Sequence, residues 1–193
     1  MSYDRETALV VVDVQNDFAD SNGGLYVSGG EQVVPVVNAA IAEARSAGAR
    51  VVYTADWHPA VTPHFAKDGG IWPVHCVGDT WGAEFHPNLI VDGPVVRKGT
   101  NGEDGYSGFT MKDPEGDTVM ATGLRDQLDR WGIKKVIVCG LATDYCVKAT
   151  ALDGVDAGFS VVLLEGAVRP VNLQPGDGEA AVAAMVDAGC SLG

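Results

Sequence analysis

The sequence predicts a three-layer α/β fold in which helices cover both faces of a central, mostly parallel β-sheet. The first observation is that several apolar runs are β-branched throughout and lack polar alternation, which is typical of strands buried on both faces. The second is that segments with helical spacing of apolar residues separate these runs. The clearest runs cover residues 7–14, 50–55 and 135–141.

The first half of the chain supplies a strand, a helix and a strand. Residues 31–47 carry an apolar stripe with helical spacing, and the predicted helix accepts Pro35 in its first turn and ends at Gly48. The strand over residues 50–55 follows, so a right-handed crossover is expected. Residues 56–93 are irregular and rich in Pro, Gly, Trp and His, and a loop of this length usually has a function.

The second half continues the alternation. A short apolar run at Val95 and Val96 leads into Arg97, and Thr122 is the expected cap of a short helix that reaches Trp131. The remaining elements complete a Rossmann-like sheet of about six strands. They are a strand at residues 135–141, a helix at 144–157, a strand at 160–164 and a helix at 179–188. No repeat or linker interrupts the chain, so residues 1–193 are expected to form a single domain.

Composition excludes several classes of function. The formal net charge of −13 and the lack of any basic run argue against a nucleic-acid partner and favour a small neutral substrate. No apolar run reaches the ~18 residues of a membrane span, and the N-terminus does not resemble a secretion signal. The four cysteines show no small-scaffold spacing, which predicts a reduced, cytoplasmic protein.

Cys146 is a candidate nucleophile. It follows the strand at residues 135–141 and falls in the first turn of the next predicted helix, with Thr143 and Asp144 as N-cap candidates. Free N–H groups and the helix dipole favour a thiolate at this position. The alternative is that Cys146 is a small buried apolar residue, as most free cysteines are. Position alone does not separate the two interpretations.

Asp13 carries the one charge in the first apolar run and falls at its C-terminal end. Ligands bind along this edge of an open α/β sheet. An aspartate within an apolar strand is costly unless it is paired or takes part in chemistry, so a functional role is favoured over a role in turn formation.

Three of the four histidines lie between residues 58 and 75 and predict a metal site. Asp56 and His58 leave the end of the second strand, two residues apart, and His75 lies further along the loop. Two imidazoles and a carboxylate with open positions are typical of a catalytic metal site. His64 is a further candidate ligand, whereas His86 lies outside this group and is interpreted as structural. The alternative is that these histidines are near each other only in sequence.

The chain resembles nicotinamidases (pyrazinamidases), which are isochorismatase-like cysteine hydrolases. Each motif is weak alone, but six of them occur in the family's order. They are Val12-Asp-Val-Gln-Asn-Asp-Phe18, Asp56-Trp-His-Pro59, Trp72-Pro-Val-His-Cys76, Lys98-Gly99, Tyr106-Ser-Gly-Phe109 and Gly140-Leu-Ala-Thr-Asp-Tyr-Cys-Val147.

The resemblance implies an Asp–Lys–Cys triad formed by Asp13, Lys98 and Cys146, which hydrolyses nicotinamide, and pyrazinamide as well, to the acid and ammonia through a thioester. This activity belongs to NAD salvage. It also implies an oxyanion hole made by the backbone N–H groups of Ala142 and Cys146, at ~3 kcal/mol per donor. A cis peptide bond is implied between Leu141 and Ala142. Taken without the family, Lys98 would be interpreted as a solvated lysine.

For the pocket, the resemblance implies one divalent metal ion held by Asp56, His58 and His75, with His64 as an extra ligand found in some members. Zinc is expected ahead of iron or manganese, and the substrate is a small aromatic amide. The implied substrate-binding residues are Phe18, Trp72, Tyr106 and Leu141. Their alternative role is as core aromatic and apolar residues.

Two departures from the family's pattern concern the pocket. The loop at residues 100–105 is slightly longer than expected and brings two acids near the mouth, and Arg97 precedes the lysine where an apolar residue is common. Two alternatives stay open: another hydrolase of the family, such as an isochorismatase or a carbamoyl-amide hydrolase, and a non-catalytic binding protein of the same fold. A homo-oligomer is also left open.

Overall fold

The computed structural model describes residues 2–113, 116 and 118–193. Its central sheet has six strands, as the sequence predicts, and every neighbouring pair in it is parallel. The strands of this sheet are β1 (Thr7–Val12), β2 (Arg50–Asp56), β3 (Val95–Lys98), β6 (Lys135–Leu141), β7 (Ser160–Arg169) and β8 (Ser191–Leu192). They lie in the order β3-β2-β1-β6-β7-β8. A separate antiparallel pair consists of β4 (Thr110–Lys112) and β5 (Val119–Ala121).

Helices cover both faces of the sheet, which gives the predicted three layers. The α-helices are α1 (Asn16–Ala19), α2 (Val33–Ser46), α3 (Leu124–Arg130), α4 (Lys148–Asp156) and α5 (Asp177–Asp187). Short 3-10 turns cover Gly30–Gln32, Ala66–Asp68 and Trp81–Ala83, and a π-helical turn covers Thr143–Val147.

Alternate residues of β1 show how the layers are separated. Leu9 and Val11 pack in one apolar cluster with α2, whereas Val10 packs in a second cluster with α3 and α4. All six residues of β1 are buried, because the strand lies at the centre of the sheet and is covered on both sides. The continuous apolar run seen in the sequence is the consequence of this placement.

Several element boundaries differ from the predicted ones. β1 ends at Val12 because Asp13 takes a positive φ of 49° and leaves the strand. β7 runs five residues beyond the predicted end, since Val168 and Arg169 pair with β6 after a register shift. Helix α3 has Gly123 at its N-cap, although the Thr122 hydroxyl still accepts a bond from Leu124 N at 3.2 Å.

In the part of the chain that the structure describes, no helix is both long and apolar enough to cross a membrane. The four cysteines all lie within that part and carry free, buried thiols.

Candidate active site

Three residues of the predicted triad meet at the carboxyl edge of the sheet. Asp13 directly follows β1, Lys98 is the last residue of β3, and Cys146 lies in the π-helical turn after β6. Parallel strands bring these ends to one edge, although Asp13 and Cys146 lie 133 positions apart in the sequence. The structure therefore places together what the sequence predicted only from motifs.

Neighbouring strands hold Asp13 in place. Its backbone N–H donates to Thr54 O at 3.2 Å, and the Thr54 hydroxyl donates to its Oδ1 at 2.6 Å. Its Oδ2 lies 2.7 Å from Lys98 Nζ. Burial raises the pKa of Asp13 to about 6, although the Lys98 ammonium opposes that shift. The carboxylate can therefore accept a proton near neutral pH.

Lys98 is the positive centre of the site and is completely buried. Its Nζ contacts Asp13, donates to an oxygen of Asp56 and to the Gly105 carbonyl, and lies 3.7 Å from Cys146 Sγ. Burial favours the neutral amine, but the two carboxylates outweigh it and raise the lysine pKa well above its ordinary value. The ammonium therefore stays charged and can stabilise a developing thiolate.

Cys146 differs from the sequence prediction in its resting charge. Burial raises the pKa of its thiol well above the ordinary value, and Asp13 and Asp56 add to the shift while Lys98 opposes it. The prediction of a thiolate is therefore wrong for the free site. It followed from helix position alone, whereas the two buried carboxylates disfavour a further negative charge beside them. The resting group is a thiol beside Asp13.

The local backbone around Cys146 also corrects the capping prediction. The turn begins after Ala142, and neither Thr143 nor Asp144 caps it. Both carboxylate oxygens of Asp144 instead accept backbone bonds from Val171 and Asn172, at 2.9 and 2.8 Å. The predicted cis peptide bond between Leu141 and Ala142 is present.

Alkylation should distinguish Cys146 from the other cysteines. Cys146 lines the pocket and lies 3.7 Å from the Lys98 ammonium, whereas Cys76 and Cys139 are completely buried in the core. We expect iodoacetamide to modify Cys146 first, and we expect benzamide, an aromatic amide that would occupy the same pocket, to lower the rate. The measurement is peptide mass spectrometry of timed samples. Equal labelling of all four thiols, or the same rate with benzamide, would contradict this placement.

Beside the triad, the structure brings His58, His64 and His75 together. One ring nitrogen each of His58, His64 and His75 lies within 4.8 Å of the others. Oδ2 of Asp56 lies 3.9 Å from Nε2 of His58 and 3.9 Å from Nε2 of His75. His86 is not part of this group and its Nδ1 accepts a bond from Asn88 N.

The donor set fits a divalent cation. Both ring nitrogens of His58 are buried without a hydrogen-bond partner, which is costly unless they have a ligand. Burial lowers the pKa of His58 to about 3 and also lowers that of His75, so both imidazoles are neutral, as metal ligands must be. The carbonyl of Pro73 accepts a bond from His75 Nδ1 at 2.8 Å and leaves its Nε2 free.

Asp56 links the histidine group to the triad. One carboxylate oxygen accepts from Lys98, and the other faces the histidines. Burial acts to raise the pKa of Asp56, but the Lys98 ammonium outweighs it and lowers the pKa. The carboxylate is therefore available in its charged form.

Gln15 falls in the first of the six motifs but was given no role by the sequence, and the structure shows that it holds Asp56. Its side-chain Nε2 donates to Asp56 O and its Oε1 accepts from Asp56 N, both at 2.8 Å, and a further bond reaches Ala83 O. Gln15 is fully buried. No local pattern could reveal this role, because its partner lies 41 residues away.

Aromatic rings form the walls of the pocket. Phe18, Trp72 and Tyr106 line it as predicted, and Trp72 Nε1 donates to the Tyr106 hydroxyl at 2.7 Å. Tyr145 was missed, although it adjoins the nucleophile in sequence; its ring stands at 84° to that of Trp72, with centroids 4.7 Å apart. Further lining residues that the sequence did not reveal are Leu25, Val27 and Val171.

Leu141 requires a correction. It was predicted to contact substrate, but it is completely buried in the apolar cluster that α2 covers, and Ala142 lines the pocket in its place. Leu141 is the last residue of β6, so its side chain follows the alternation of the strand into the core. The implied oxyanion-hole residues Ala142 and Cys146 both line the pocket.

Gly99 is required by the close approach of a histidine. Its φ is +74°, and a Cβ at this position would lie 2.6 Å from the ring of His58. A larger residue would therefore displace both the backbone after Lys98 and a candidate metal ligand.

Comparison with known proteins agrees with this geometry. The family model for the isochorismatase domain matches residues 7–192. A nicotinamidase from Escherichia coli is 38% identical over 96% of this chain and 93% of its own length. A structure of a pyrazinamidase from Pyrococcus horikoshii in complex with zinc is 40% identical, with a TM-score of 0.86 over 97% of this chain and 98% of that one.

A third relative is a protein from L. infantum in complex with nicotinate. It is 37% identical, with a TM-score of 0.89 over the whole of this chain and 94% of that one. The match covers the sheet, the triad and the histidine loop together. The chain therefore belongs to the isochorismatase family.

Proposed function

We propose that this protein is a metal-dependent cysteine amidase that hydrolyses nicotinamide to nicotinate and ammonia, and that it also accepts pyrazinamide. Support comes from relatives named as nicotinamidase and pyrazinamidase and from a similar structure in complex with nicotinate. Release of nicotinate would place the reaction in NAD salvage. A reducing, cytoplasmic setting belongs to the proposal, because the nucleophile must remain a free thiol.

One observation carries the proposal: the triad and the histidine group open onto the same aromatic pocket. Cys146 and His75 both line it, and Phe18 packs 5.4 Å from the His75 ring. A flat pyridine ring fits between aromatic side chains and reaches a nucleophile at one end and a metal site at the other.

Acylation begins at the resting thiol. Asp13 accepts the proton of Cys146, the Lys98 ammonium stabilises the thiolate, and the sulfur attacks the carboxamide carbon. The backbone N–H groups of Ala142 and Cys146 hold the oxyanion of the tetrahedral intermediate. The C–N bond then breaks as Asp13 returns its proton to the leaving nitrogen, which departs as ammonia.

Deacylation reverses the roles of the same groups. The thioester on Cys146 is attacked by water, whose proton passes to Asp13. The second tetrahedral intermediate uses the same two backbone donors. It collapses with release of the carboxylic acid, and the proton on Asp13 returns to the sulfur.

Asp56, His58, His64 and His75 are the residues that would hold the divalent ion. When bound, the ion supplies a Lewis-acidic contact for the ring nitrogen of the substrate and for water. A zinc-containing relative and the neutral imidazoles favour zinc, with iron or manganese as alternatives.

The alternatives within the family differ in their need for the metal. An isochorismatase or a carbamoyl-amide hydrolase of this fold would not need the histidine group, and a non-catalytic protein would not need the buried triad. The coexistence of both groups in one pocket favours the nicotinamidase.

An ammonia-release assay tests the proposal. The substrates are nicotinamide, pyrazinamide, benzamide and a carbamoyl amide. Each is tested with the protein as isolated, with the protein after removal of metal by a chelator, and with the protein after return of Zn²⁺. We expect turnover of the two heteroaromatic amides that is lost on chelation and restored by Zn²⁺. Hydrolysis of the carbamoyl amide alone, or unchanged activity without metal, would overturn the proposal.

Removal of one histidine should have the effect of removing the metal. His58→Ala deletes a ligand that is central to the group, so bound metal and activity should both fall by roughly 100-fold or more. His86→Ala is the matched control, because His86 lies outside the group, and it should leave both unchanged. Metal content by elemental analysis and kcat/KM for nicotinamide are the two measurements. Full activity in His58→Ala would contradict the metal assignment.

A further inference from the structure

We propose that Asp104 is a positioning residue that orients the ring of His64 and so makes His64 a ligand of the divalent ion. The inference rests on the metal site of the proposed function and deepens it. Asp104 belongs to the loop at residues 100–105, and the next residue of that loop, Gly105, lines the pocket.

The contact between the two side chains is short and directional. The Nδ1–H of His64 donates to Oδ1 of Asp104 at 2.6 Å. The His64 side chain is almost completely buried, and the Asp104 side chain is 30% exposed. Since Nδ1 carries the proton, the lone pair lies on Nε2. Asp104 thus selects the tautomer and holds the ring plane.

The same arrangement is present at another histidine of the group. His75 donates from Nδ1 to Pro73 O at 2.8 Å and leaves its Nε2 free toward Asp56. The Pro73 carbonyl at His75 and the Asp104 carboxylate at His64 therefore act in the same way, since each accepts the Nδ1 proton. A carboxylate partner also makes the imidazole more basic and thereby a stronger ligand.

The main chain holds the Asp104 carboxylate in position. The N–H of Asp104 donates to Lys112 O at 2.8 Å, and its carbonyl accepts from Lys112 N at 3.0 Å. The loop is thus paired to the end of β4 at the residue that carries the carboxylate. The backbone of Asp104 therefore has little conformational freedom to lose when the metal binds.

A second contact ties the histidine segment to the same loop. The Thr62 hydroxyl donates to Gly102 O at 3.0 Å and accepts from His64 N at 3.2 Å. The segments that carry His64 and Asp104 are therefore joined through the Thr62 hydroxyl as well as through the two side chains. A rim carboxylate that served only solubility would not need this double attachment.

Oδ1 of Asp104 is hydrogen-bonded to Nδ1 of His64, and Asp104 is not among the described side chains whose ligand atoms lie within 4.8 Å of one another. The neighbouring acid, Glu103, has different partners, because its two oxygens accept from N and Nδ2 of Asn101, at 2.8 and 2.9 Å. Glu103 therefore provides a matched control of equal charge in the same loop.

The test measures the Zn²⁺ dissociation constant of metal-free protein by competition with a chromophoric chelator. Asp104→Ala should weaken Zn²⁺ binding about 10- to 100-fold, and Asp104→Asn should weaken it less, because the amide oxygen still accepts a bond. Glu103→Gln should change the constant by less than about threefold, as expected for a nearby charge without a contact to the ring.

A double-mutant cycle separates positioning from a general charge effect. If Asp104 acts through His64, Asp104→Ala should have little further effect in a His64→Ala background. An equal loss in both backgrounds, or less than about a twofold loss in the wild type, would overturn the proposal. If Asp104→Ala does not fold, as judged by its thermal transition, the cycle is run with Asp104→Asn.

The Zn²⁺ dissociation constant tests the positioning role of Asp104, and the amide assay tests the proposed activity, so either can be contradicted without the other. If the cycle shows coupling but no amide releases ammonia, the positioning role stands and the proposed activity falls. If nicotinamide is hydrolysed but Asp104→Ala binds Zn²⁺ as the wild type does, the activity stands and the positioning role falls.

Discussion

Cys146→Ala should lower kcat/KM for nicotinamide by roughly 10⁴-fold or more, because it removes the atom that attacks the carboxamide. The remaining groups would still bind the amide but could form no thioester. The substitution removes one sulfur next to two carboxylates, so little stability should be lost. Cys146→Ser should be almost as inactive, since a hydroxyl gives up its proton less readily than a thiol.

Cys190→Ala is the matched control for this variant. Cys190 is also a buried free cysteine, but its sulfur faces Ala151 O at 4.0 Å and does not contact the pocket. Its kcat/KM should equal that of the wild type. Ammonia release is the measurement, and more than about a tenth of wild-type activity in Cys146→Ala would contradict the assignment of the nucleophile.

Trapping with hydroxylamine tests independently whether a thioester forms on Cys146. A thioester on Cys146 should partition between water and hydroxylamine, so the wild type should form the hydroxamate of nicotinic acid along with nicotinate. Cys146→Ala should form neither. Nicotinate without any hydroxamate at high hydroxylamine would argue for direct attack by water on the amide.

The strands could be predicted because burial on both faces leaves a continuous apolar run. β6 matches its predicted bounds, and β2 differs by one residue. The extension of β7 to Arg169 could not be predicted, since its last residues are held by pairing with β6 across a register shift. That segment includes Glu165 and Gly166, which do not resemble a strand interior in sequence.

The chemistry-bearing residues of the site were visible because they interrupt apolar patterns. Asp13 is a charge at the end of an apolar run, and three of the four histidines of the chain lie between residues 58 and 75. Gln15 carried no such signal, because a polar residue in a loop is ordinary and its two bonds to Asp56 depend on the tertiary fold.

The charge state of Cys146 could not be predicted for a related reason. The helix position is a local property that favours the thiolate, but burial and two carboxylates contributed by other strands dominate. Local sequence therefore located Cys146 as the candidate nucleophile but misjudged its resting protonation.

Lys98→Met should be both the most destabilising single change in the site and nearly inactive. The lysine is fully buried between Asp13 and Asp56, and removing one partner of a buried ion pair costs about 3–5 kcal/mol. For a chain of this size that free energy lowers Tm by roughly 6–20 °C. Activity should fall by roughly 10³-fold, since nothing would then stabilise the thiolate.

Lys135→Met is the control for the loss of a lysine from a strand. Lys135 begins β6, and its ammonium donates to Ser2 O at an exposed position. Its Tm should change little, because exposed polar contacts contribute less than about 1 kcal/mol. Differential scanning calorimetry gives Tm, and ammonia release gives activity. An unchanged Tm in Lys98→Met would show that the two carboxylates do not depend on the lysine.

A double variant tests why the loss of Lys98 destabilises the fold. In Lys98→Met the two carboxylates lose their shared cation, and Asp13, whose pKa is already raised to about 6, should take up a proton and limit the cost. Adding Asp13→Asn removes one of the two charges permanently, so Tm should recover part of the loss. Activity should not recover, because the base is now absent as well. Recovery of Tm would show that the stability lost in Lys98→Met comes from the uncompensated carboxylates, whereas an unrecovered Tm would contradict that origin of the loss.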